Sequence, residues 1–584
     1  MSSKNSFLPT TKDEMIKRGW DKLDVVLITG DAYIDSPFMG IAVVGRILED
    51  LGYKVGIIGQ PDISSDIDIK RLGEPRLFWG VSGGSIDSMV SNYTATKKFR
   101  NEDDYTAGGK NNKRPDRATL VYTNLIRRYF KNTVPIVLGG IEASLRRLTH
   151  YDYWQNSLRK PILFDSKADY LIYGMGEEAI RDIANYLNEN KDVRDIAGLC
   201  YISKEPKSDY LQIPSHKECL EDKEKYIELF RVFYDNNDPV YSKGLCQEVD
   251  GRYLIQNPPS RYLNEEEMDK IASFPYQRDV HPYHLKDGKV KALETIKFSI
   301  MTHHGCWGEC NYCAIAAHQG RTIRARSQEN IIKEAKFFTT MKDFKGVISD
   351  VGGPTANMYG YECKKKLKLG TCIDNKRCVD SNRICPTMKI NHSKNIELLK
   401  NIREIPKVKK AFVASGIRYD FISADKNHGK EYLKELVNHH ISGQMKIAPE
   451  HTSDEVLYHM GKPKKQTLIE FKKMFDDLNK QSGKKQFLTY YLIAAHPGCK
   501  EKDMYELKNF TTNELKINPE QAQIFTPTPG TYSSLMYYTE LDPFTKKRIF
   551  VEKDTRKKEK QKEIVVAKRS FSNKKQNFNA GMQG

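Results

Sequence analysis

The first 200 residues alternate short apolar runs with stretches of helical periodicity. The predicted strands are residues 24–30, 54–58, 77–81, 135–138 and 170–173. The predicted helices with an apolar face include residues 42–51 and 118–130. Buried strands separated by amphipathic helices indicate a parallel sheet covered on both faces. We therefore predict a doubly wound α/β domain over residues 1–200, in which ligands bind beyond the carboxyl ends of the strands.

A second series of strands and helices begins near residue 297. Its further predicted strands are residues 346–350, 411–415, 445–448, 487–493 and 522–525. The predicted helices between them include residues 328–341, 396–405, 429–438 and 467–480. Six such units predict a partial (β/α)6 barrel over residues 293–545, with its chemistry on the loops after the strands.

The two remaining segments differ from these domains in charge and regularity. Residues 201–292 are less regular and more charged, which favours a connector. Residues 546–584 hold 13 Lys and Arg against four acids, half of the net charge of +18 of the 584-residue chain. Such a run is typical of a solvated or disordered extension. A basic tail also raises affinity for phosphates, so RNA is a candidate partner.

Targeting signals and cysteine usage indicate the compartment. The chain has no run of about 18 apolar residues, the minimum for a membrane helix. Its polar N-terminus carries no export or organelle signal, so we expect a cytoplasmic protein without a membrane partner. Eleven cysteines in a reducing compartment do not suggest disulfides. Seven of them lie between Cys306 and Cys385, and that clustering indicates a chemical role.

Cys306, Cys310 and Cys313 form a C-x3-C-x2-C pattern just after the first predicted barrel strand. Thiolates suit zinc or iron–sulfur clusters. A closed zinc site takes four protein ligands, and only His303 and His304 lie near enough in sequence to supply a fourth. A [4Fe–4S] cube held by three cysteines leaves one iron without a protein ligand, where a small molecule can chelate. Zinc and an ordinary electron-transfer cluster are the alternatives.

This spacing, with Tyr312 immediately before the third cysteine, resembles the radical S-adenosylmethionine (SAM) superfamily. The resemblance implies that SAM chelates the open iron of a [4Fe–4S] cluster. It implies that an electron from the cluster cleaves SAM, and that the resulting 5′-deoxyadenosyl radical abstracts hydrogen from a substrate. The protein then supplies placement and excludes water. An electron donor of the flavodoxin or ferredoxin type is the expected partner.

Four further residues match positions at which this family contacts SAM. Gly352 and Gly353 follow the second predicted strand, where the resemblance implies a glycine-rich turn beside the amino group of SAM. Pro354 stands where the family usually has an acid, so we expect the backbone to make this contact. Ser415 and Arg418 follow the third strand, where a hydroxyl and a guanidinium can bind a ribose and a carboxylate. A surface ion pair is the alternative for Arg418.

Polar residues also follow the fourth and fifth predicted strands. Glu450 and His451 end the fourth strand and could face the pocket. His496 follows the fifth strand, where the family contacts adenine through backbone atoms. We favour a structural role for His496 over proton donation.

From about residue 10 to 545 the chain resembles the YgiQ family of radical SAM proteins. The segments that carry this resemblance are GDAYIDSPFMGIAVVGRILEDLGY, LGGIEASLRR, THHGCWGECNYCAIAAHQGR, DVGGPTANMYG, IAPEHTSDEVL and FTPTPGT. The resemblance implies radical SAM chemistry without identifying a substrate.

A second group of cysteines lies at about residues 360–390, in a basic insertion with little apolar content. Its members are Cys363, Cys372, Cys378 and Cys385. Four thiolates around a metal would fold such a segment, which cannot form a core unaided. The spacings match no common zinc finger, so a second metal site of zinc or an auxiliary [4Fe–4S] cluster is predicted without a choice between them.

The N-terminal domain resembles the cobalamin-binding modules that precede many radical SAM barrels. The family motif for the lower cobalt ligand is D-x-H-x-x-G, whereas Asp31 is followed by Ala32 and Tyr33. No histidine occupies the ligand position, which speaks against cobalamin bound through the protein. Binding without a protein ligand to cobalt stays open. We expect a domain that keeps the fold and binds substrate or nothing.

The combined prediction is a radical SAM enzyme of unknown substrate. One alternative is an enzyme that modifies tRNA or rRNA, suggested by FTPTPGT, which resembles methylthiotransferases, and by the basic tail. The other is a non-catalytic iron–sulfur protein with a redox or sensor role.

Overall fold

A nine-stranded sheet forms the core of the N-terminal half. The computed structural model describes residues 6–373, 377–381 and 383–566. Across the sheet the strands are Leu211–Ile213, Leu245–Val249, Arg252–Gln256, Leu199–Ser203, Tyr170–Ile172, Ile136–Gly139, Phe78–Ser82, Val25–Thr29 and Val55–Gly59. The last five are mutually parallel. They are the five strands predicted from the apolar runs.

Both faces of this sheet are covered. The helices are Lys12–Lys17, Gly40–Asp50, Ile67–Lys70, Ser88–Asn92, Ala118–Tyr129, Gly140–Ser144, Ile162–Ser166 and Glu177–Asn188. Along the strand Val25–Thr29, Val26 and Ile28 pack into one hydrophobic core, and Val25 and Leu27 pack into the other. Because side chains alternate between the faces of a strand, this pattern confirms a doubly wound sheet.

Residues 201–292 extend the sheet and are not an irregular connector. Their strands are Leu211–Ile213, Leu245–Val249, Arg252–Gln256 and Asp279–Val280, and their helices are His216–Glu221, Lys223–Asp235, Glu265–Ala272, Pro282–Leu285 and Ala292–Ile296. The hairpin of Leu245–Val249 with Arg252–Gln256 pairs antiparallel with Leu199–Ser203. These strands have five residues or fewer and carry polar side chains, so their periodicity is too short to recognise.

The barrel contains the predicted strand series. Its strands are Ser299–Met301, Val347–Ile348, Asp350–Gly352, Lys410–Ala411, Gln444–Glu450, Phe487–Ala494 and Gln523–Ile524, with a short ribbon of His303–His304 and Arg324–Ala325. Neighbouring barrel strands pair in parallel. The helices are Ile315–Gln319, Gln328–Phe338, Lys364–Leu369, Ser393–Arg403, Tyr419–Ala424, Gly429–Glu435, Asp454–Met460, Lys465–Ser482, Glu501–Asn513 and Tyr532–Thr539, with a 3-10 turn at Ala356–Met358 and a π-helical turn at Leu436–His440. None of the helices in the described ranges has the length and apolar character needed to cross a bilayer.

Part of the basic tail is folded onto the barrel. The helix Thr555–Val566 contacts the helix Glu501–Asn513. The buried Lys558 donates hydrogen bonds to the hydroxyls of Tyr537 (2.7 Å) and Tyr153 (3.2 Å). The prediction of a disordered extension is therefore wrong for residues 546–566, because a lysine of the charge run is buried and donates hydrogen bonds to tyrosines of both domains. Residues 567–584 lie outside the described residues.

Candidate active site

The three-cysteine loop lies at the carboxyl end of the first barrel strand. Gly305 begins the loop with a φ of +82°, and a Cβ there would lie 2.3 Å from the carbonyl oxygen of Thr322. The amide of Cys306 donates to the carbonyl of Gly320, and the amide of Cys313 donates to the carbonyl of Cys310. These bonds fold the loop back on itself, and all three cysteines are half-buried.

The loop environment favours thiols until a positive charge is supplied. Burial raises the pKa of Cys313 to about 12, and burial together with the neighbouring Cys310 raises the pKa of Cys306. One cation is already in place, because Nη1 of Arg418 lies 3.4 Å from Sγ of Cys310. Thiolates are the form that binds metal, so the irons of a cluster would take the place of the thiol protons. The donor set fits an iron–sulfur cluster.

The two histidines before the loop do not complete a zinc site. His303 is fully buried, and its Nδ1 lies 2.8 Å from the hydroxyl of Thr302. Over the described parts of the chain, no three His, Cys, Asp or Glu side chains come together as ligands of a single metal ion. Zinc requires such convergence, whereas the thiolates of a cube each bind a different iron.

The predicted glycine turn and Ser415 lie together beside the loop. Gly352 pairs with Met301 of the first barrel strand. A Cβ at Gly352 would lie 2.8 Å from Oγ of Ser415, and a Cβ at Gly353 would lie 2.6 Å from the ring of His303. The loop is adjacent, since Sγ of Cys306 lies 3.6 Å from the hydroxyl of Thr355. Only a residue without a side chain fits at these two positions.

Asp350 holds Ser415 in place, a contact that the sequence pattern did not reveal. Its carboxylate accepts hydrogen bonds from the amides of Ala414 (2.8 Å) and Ser415 (3.0 Å) and from the Ser415 hydroxyl. The Ser415 hydroxyl therefore already has a protein acceptor. An acid does stand in this turn, four residues before Pro354, the position at which the family usually has one.

Arg418 is buried and makes a bidentate ion pair with Asp420. Its guanidinium is therefore not free to bind a carboxylate of SAM in the same bidentate way, and the pair is not at the surface. Its Nε and Nη2 donate to the two carboxylate oxygens at 2.8 and 2.6 Å. Burial opposes the charge, but Asp420 raises the pKa of Arg418 well above its usual value. Nη1 alone points to Cys310, so Arg418 holds a fixed positive charge against the loop.

Tyr312 and Glu450 form a partly buried hydrogen bond next to the cysteines. The Tyr312 hydroxyl donates to Oε1 of Glu450 at 2.7 Å. Glu450 has a φ of +68°, at a register shift between its strand and the neighbouring strand. Burial raises the pKa of Glu450, while Lys462 nearby opposes that rise. A non-glycine residue with this backbone geometry is uncommon, which makes Glu450 a functional candidate.

His496 and His451 are engaged in the packing of the barrel end. Nε2 of His496 lies 2.6 Å from the Ser533 hydroxyl, and its Nδ1 lies 2.8 Å from the carbonyl of Pro497. Nδ1 of His451 accepts from the amide of Ser453. Burial lowers the pKa of His496 to about 3 and that of His451 to about 4. Both rings have structural partners and are neutral at neutral pH.

Three of the four insertion cysteines lie near one another. The hydroxyl of Thr387 lies 3.0 Å from Sγ of Cys385 and 3.7 Å from Sγ of Cys363. The amide of Cys385 donates to the carbonyl of Cys378, whereas Cys372 is exposed. Residues 374–376 and 382 of this insertion lie outside the described residues. The insertion gains a core by packing its apolar side chains on Trp307 and Phe421 of the barrel.

In the N-terminal loop after the first strand, Asp31 and Tyr33 both have partners within the protein. Asp31 accepts hydrogen bonds from Arg114 and from the amide of Ser85. Tyr33 is buried, its hydroxyl receives the amide of Leu8, and its ring stacks on His281. The side chain at the family's histidine position is therefore used within the protein.

Comparisons with known proteins agree with this architecture. The family model described as "Radical SAM N-terminal" matches residues 7–299, and the model described as "Radical SAM superfamily" matches residues 300–511. A UPF0313 protein of Fusobacterium nucleatum is 62% identical over 96% of this chain and 99% of its own length. A UPF0313 protein of Thermotoga neapolitana is 47% identical over 97% of this chain and 100% of its own length.

A solved structure with the same fold is the cobalamin-dependent SAM radical enzyme OxsB with aqua-cobalamin bound. It is 13% identical, has a TM-score of 0.50, and aligns with 90% of this chain and 56% of its own chain. At this identity the likeness concerns the fold.

Proposed function

The chain belongs to the UPF0313 (YgiQ) family of the radical SAM superfamily, and we propose that it cleaves SAM reductively to start radical chemistry on an organic substrate. The observation that carries the proposal is the loop of three half-buried cysteines at the carboxyl end of the first barrel strand, with the cation of Arg418 at Cys310. No step of this reaction is assigned to the N-terminal sheet.

Cys306, Cys310 and Cys313 would hold the cluster, and the neighbouring turn would hold SAM. When bound, such a cluster supplies one electron that splits SAM into methionine and a 5′-deoxyadenosyl radical. The turn would meet the amino group of SAM through its backbone, because neither Gly352 nor Gly353 carries a side chain.

Arg418, Tyr312 and Glu450 would set the electrostatics of the site. The Arg418 charge lies against Cys310 and favours its thiolate. The carboxyl of Glu450 is buried and receives the Tyr312 hydroxyl. Glu450 would therefore orient Tyr312 against bound SAM.

Aromatic packing would keep water from the cysteines. The Trp307 ring stacks on Phe421 with centroids 4.3 Å apart, and both side chains are fully buried. They share a hydrophobic cluster with Cys306 and Met358. Exclusion of water protects a reactive radical from side reactions. The electron would come from a protein of the flavodoxin or ferredoxin type.

We propose that the N-terminal domain acts without cobalamin. The family's ligand position is Tyr33, which is buried against His281 and receives the amide of Leu8. Titration of aqua-cobalamin with the full chain should give no saturable change in its absorption spectrum. A stoichiometric spectral shift would contradict this part of the proposal.

The experiment that tests the main proposal measures 5′-deoxyadenosine. Anaerobically reconstituted full chain, given SAM and dithionite, should release 5′-deoxyadenosine and methionine. Cys310→Ala should release none above background, whereas Cys219→Ala, a buried cysteine of the N-terminal half, should behave as the wild type. Intact SAM with a loaded and reduced wild-type cluster would instead support a redox or sensor protein.

A further inference from the structure

One feature of the described structure that the proposed chemistry does not use is a cavity between the two domains. Its volume is about 310 Å³, at the lower end of the range for sites of organic ligands. One wall is the carboxyl edge of the N-terminal sheet, with Leu27, Val81, Val137 and Ile172. Ligands of doubly wound sheets bind at this edge.

The opposite wall of the cavity belongs to the barrel. It consists of Met301, His304, His318 and Gln319, which lie immediately before and after the cysteine loop. Met301 pairs with Gly352, the residue expected beside SAM. A molecule in the cavity would therefore border the place where the radical forms, as a substrate must.

One buried acid in the cavity wall is bound by no other described residue. Glu177 is 5% exposed, and in the described ranges no hydrogen bond or ion pair joins its carboxyl to another residue. The nearby cations Arg181 and Arg261 both bind Glu178 instead. Burial raises the pKa of Glu177, and a hydrogen bond from its own backbone amide opposes that rise. A buried carboxyl can accept more than one hydrogen bond, and a donor on a bound ligand would satisfy the remaining acceptor sites.

The other polar groups of the wall favour the same ligand chemistry. None of the described residues that line this cavity is Lys or Arg, so it presents no cation to a phosphate or carboxylate. Burial lowers the pKa of His318 to about 4, so its ring is neutral at neutral pH. Nδ1 of His318 is buried without a hydrogen-bond partner.

We propose that this cavity binds the organic substrate, a largely apolar molecule with one amine or N–H donor group that the Glu177 carboxyl receives. The identification as substrate rests on the proposed SAM chemistry, whereas the binding itself does not. Apolar walls contribute affinity through area removed from water, and the Glu177 carboxyl orients the molecule.

Three matched probes test this assignment: phenethylamine, 3-phenylpropanamide and 3-phenylpropionate. Binding is measured by calorimetry at pH 7 on the reconstituted full chain. We expect the amine to bind at least tenfold more tightly than the carboxylate, with the amide between them, because an amine donates a charge-assisted hydrogen bond to Glu177.

Four variants separate the contributions. Glu177→Gln should weaken the amine at least tenfold and remove the ranking. Val44→Phe, which fills the cavity from the helix Gly40–Asp50, should weaken all three probes. Asp182 is an exposed acid on the same helix as Glu177, and Asp182→Asn should leave the affinities of all three probes unchanged. Glu177→Asp should retain part of the preference for the amine.

The outcomes distinguish this assignment from the proposed function. Saturable binding of no probe, tightest binding of the carboxylate, or equal binding to wild type and Val44→Phe would overturn the cavity assignment, whether or not the wild type cleaves SAM. Ranked binding by a wild type that leaves SAM intact would uphold the cavity as a ligand site and refute its role as the substrate site of a radical enzyme.

Discussion

Docking of the C-terminal helix Thr555–Val566 should strengthen as the pH rises, because Lys558 is buried in it. Burial lowers the pKa of this lysine from 10.5 to about 8, with Lys97 adding a smaller repulsion. The docked state therefore binds the proton more weakly than the undocked state. Protonation opposes docking fully below pH 8, and this opposition disappears between pH 8 and 10.5.

The magnitude follows from the pKa of about 8 in the docked state. Between pH 7 and pH 9 the docking equilibrium constant should increase about tenfold, which is about 1.4 kcal/mol. Hydrogen–deuterium exchange of the peptide covering residues 555–566 measures this constant, after division by the exchange rate of the free peptide at each pH.

Two methionine variants provide the controls. Lys558→Met should remove the pH dependence, because no buried amine then titrates. Lys557→Met removes an exposed lysine from the same helix and should keep the tenfold change. Protection that is independent of pH in the wild type, or an unchanged slope in Lys558→Met, would refute the docked position of Lys558.

Three further substitutions test the site. Arg418→Gln leaves Asp420 buried without its partner, so the free energy of unfolding of the barrel should fall by about 3–5 kcal/mol. The thermal midpoint should drop, Asp420→Asn in the same chain should partly restore it, and no recovery would contradict the ion pair. Gly353→Ala places a Cβ 2.6 Å from a histidine ring, so release of 5′-deoxyadenosine should fall at least tenfold while iron content is kept; full activity would exclude a tight turn. Tyr312→Phe leaves Glu450 without its hydroxyl donor, so the free energy of unfolding should fall by about 1–3 kcal/mol while the iron content stays the same. An unchanged thermal midpoint would contradict the hydrogen bond.

Local sequence patterns predict the strands and the cysteine loop well. Buried parallel strands are continuous apolar runs, so the five N-terminal strands and the barrel series are visible without knowing their neighbours. The C-x3-C-x2-C loop is also a local feature. Gly352 and Ser415, which follow different strands, come together because the carboxyl ends of parallel strands share one edge.

The features that the sequence did not predict depend on how the chain folds around each residue. Lys558 belongs to a charge run that is typical of a solvated tail, yet it is buried and donates to tyrosines of two distant segments. The partner of Arg418 is Asp420, two residues further on. Whether the guanidinium binds this acid or a ligand depends on the conformation of the backbone between them. The same holds for Asp350 and the Ser415 hydroxyl.

The cavity between the domains was likewise not predictable in detail. Its walls come from the carboxyl edge of one sheet and the first strand of the barrel, and no spacing in the chain relates Glu177 to His318. The sequence did indicate that the N-terminal domain lacks the histidine of cobalamin modules. The position of Tyr33 gives that absence a structural basis.

The most direct test of the central claim is electron paramagnetic resonance of the reduced, oxygen-protected full chain, with and without SAM. A variant with Cys363, Cys378 and Cys385 replaced by Ser isolates the three-cysteine loop. Three thiolates around a cube should give about four irons per chain and a signal that changes when SAM is added, because one iron is open to it. One zinc per chain with no signal after reduction, or a cluster signal that SAM leaves unchanged, would contradict the account.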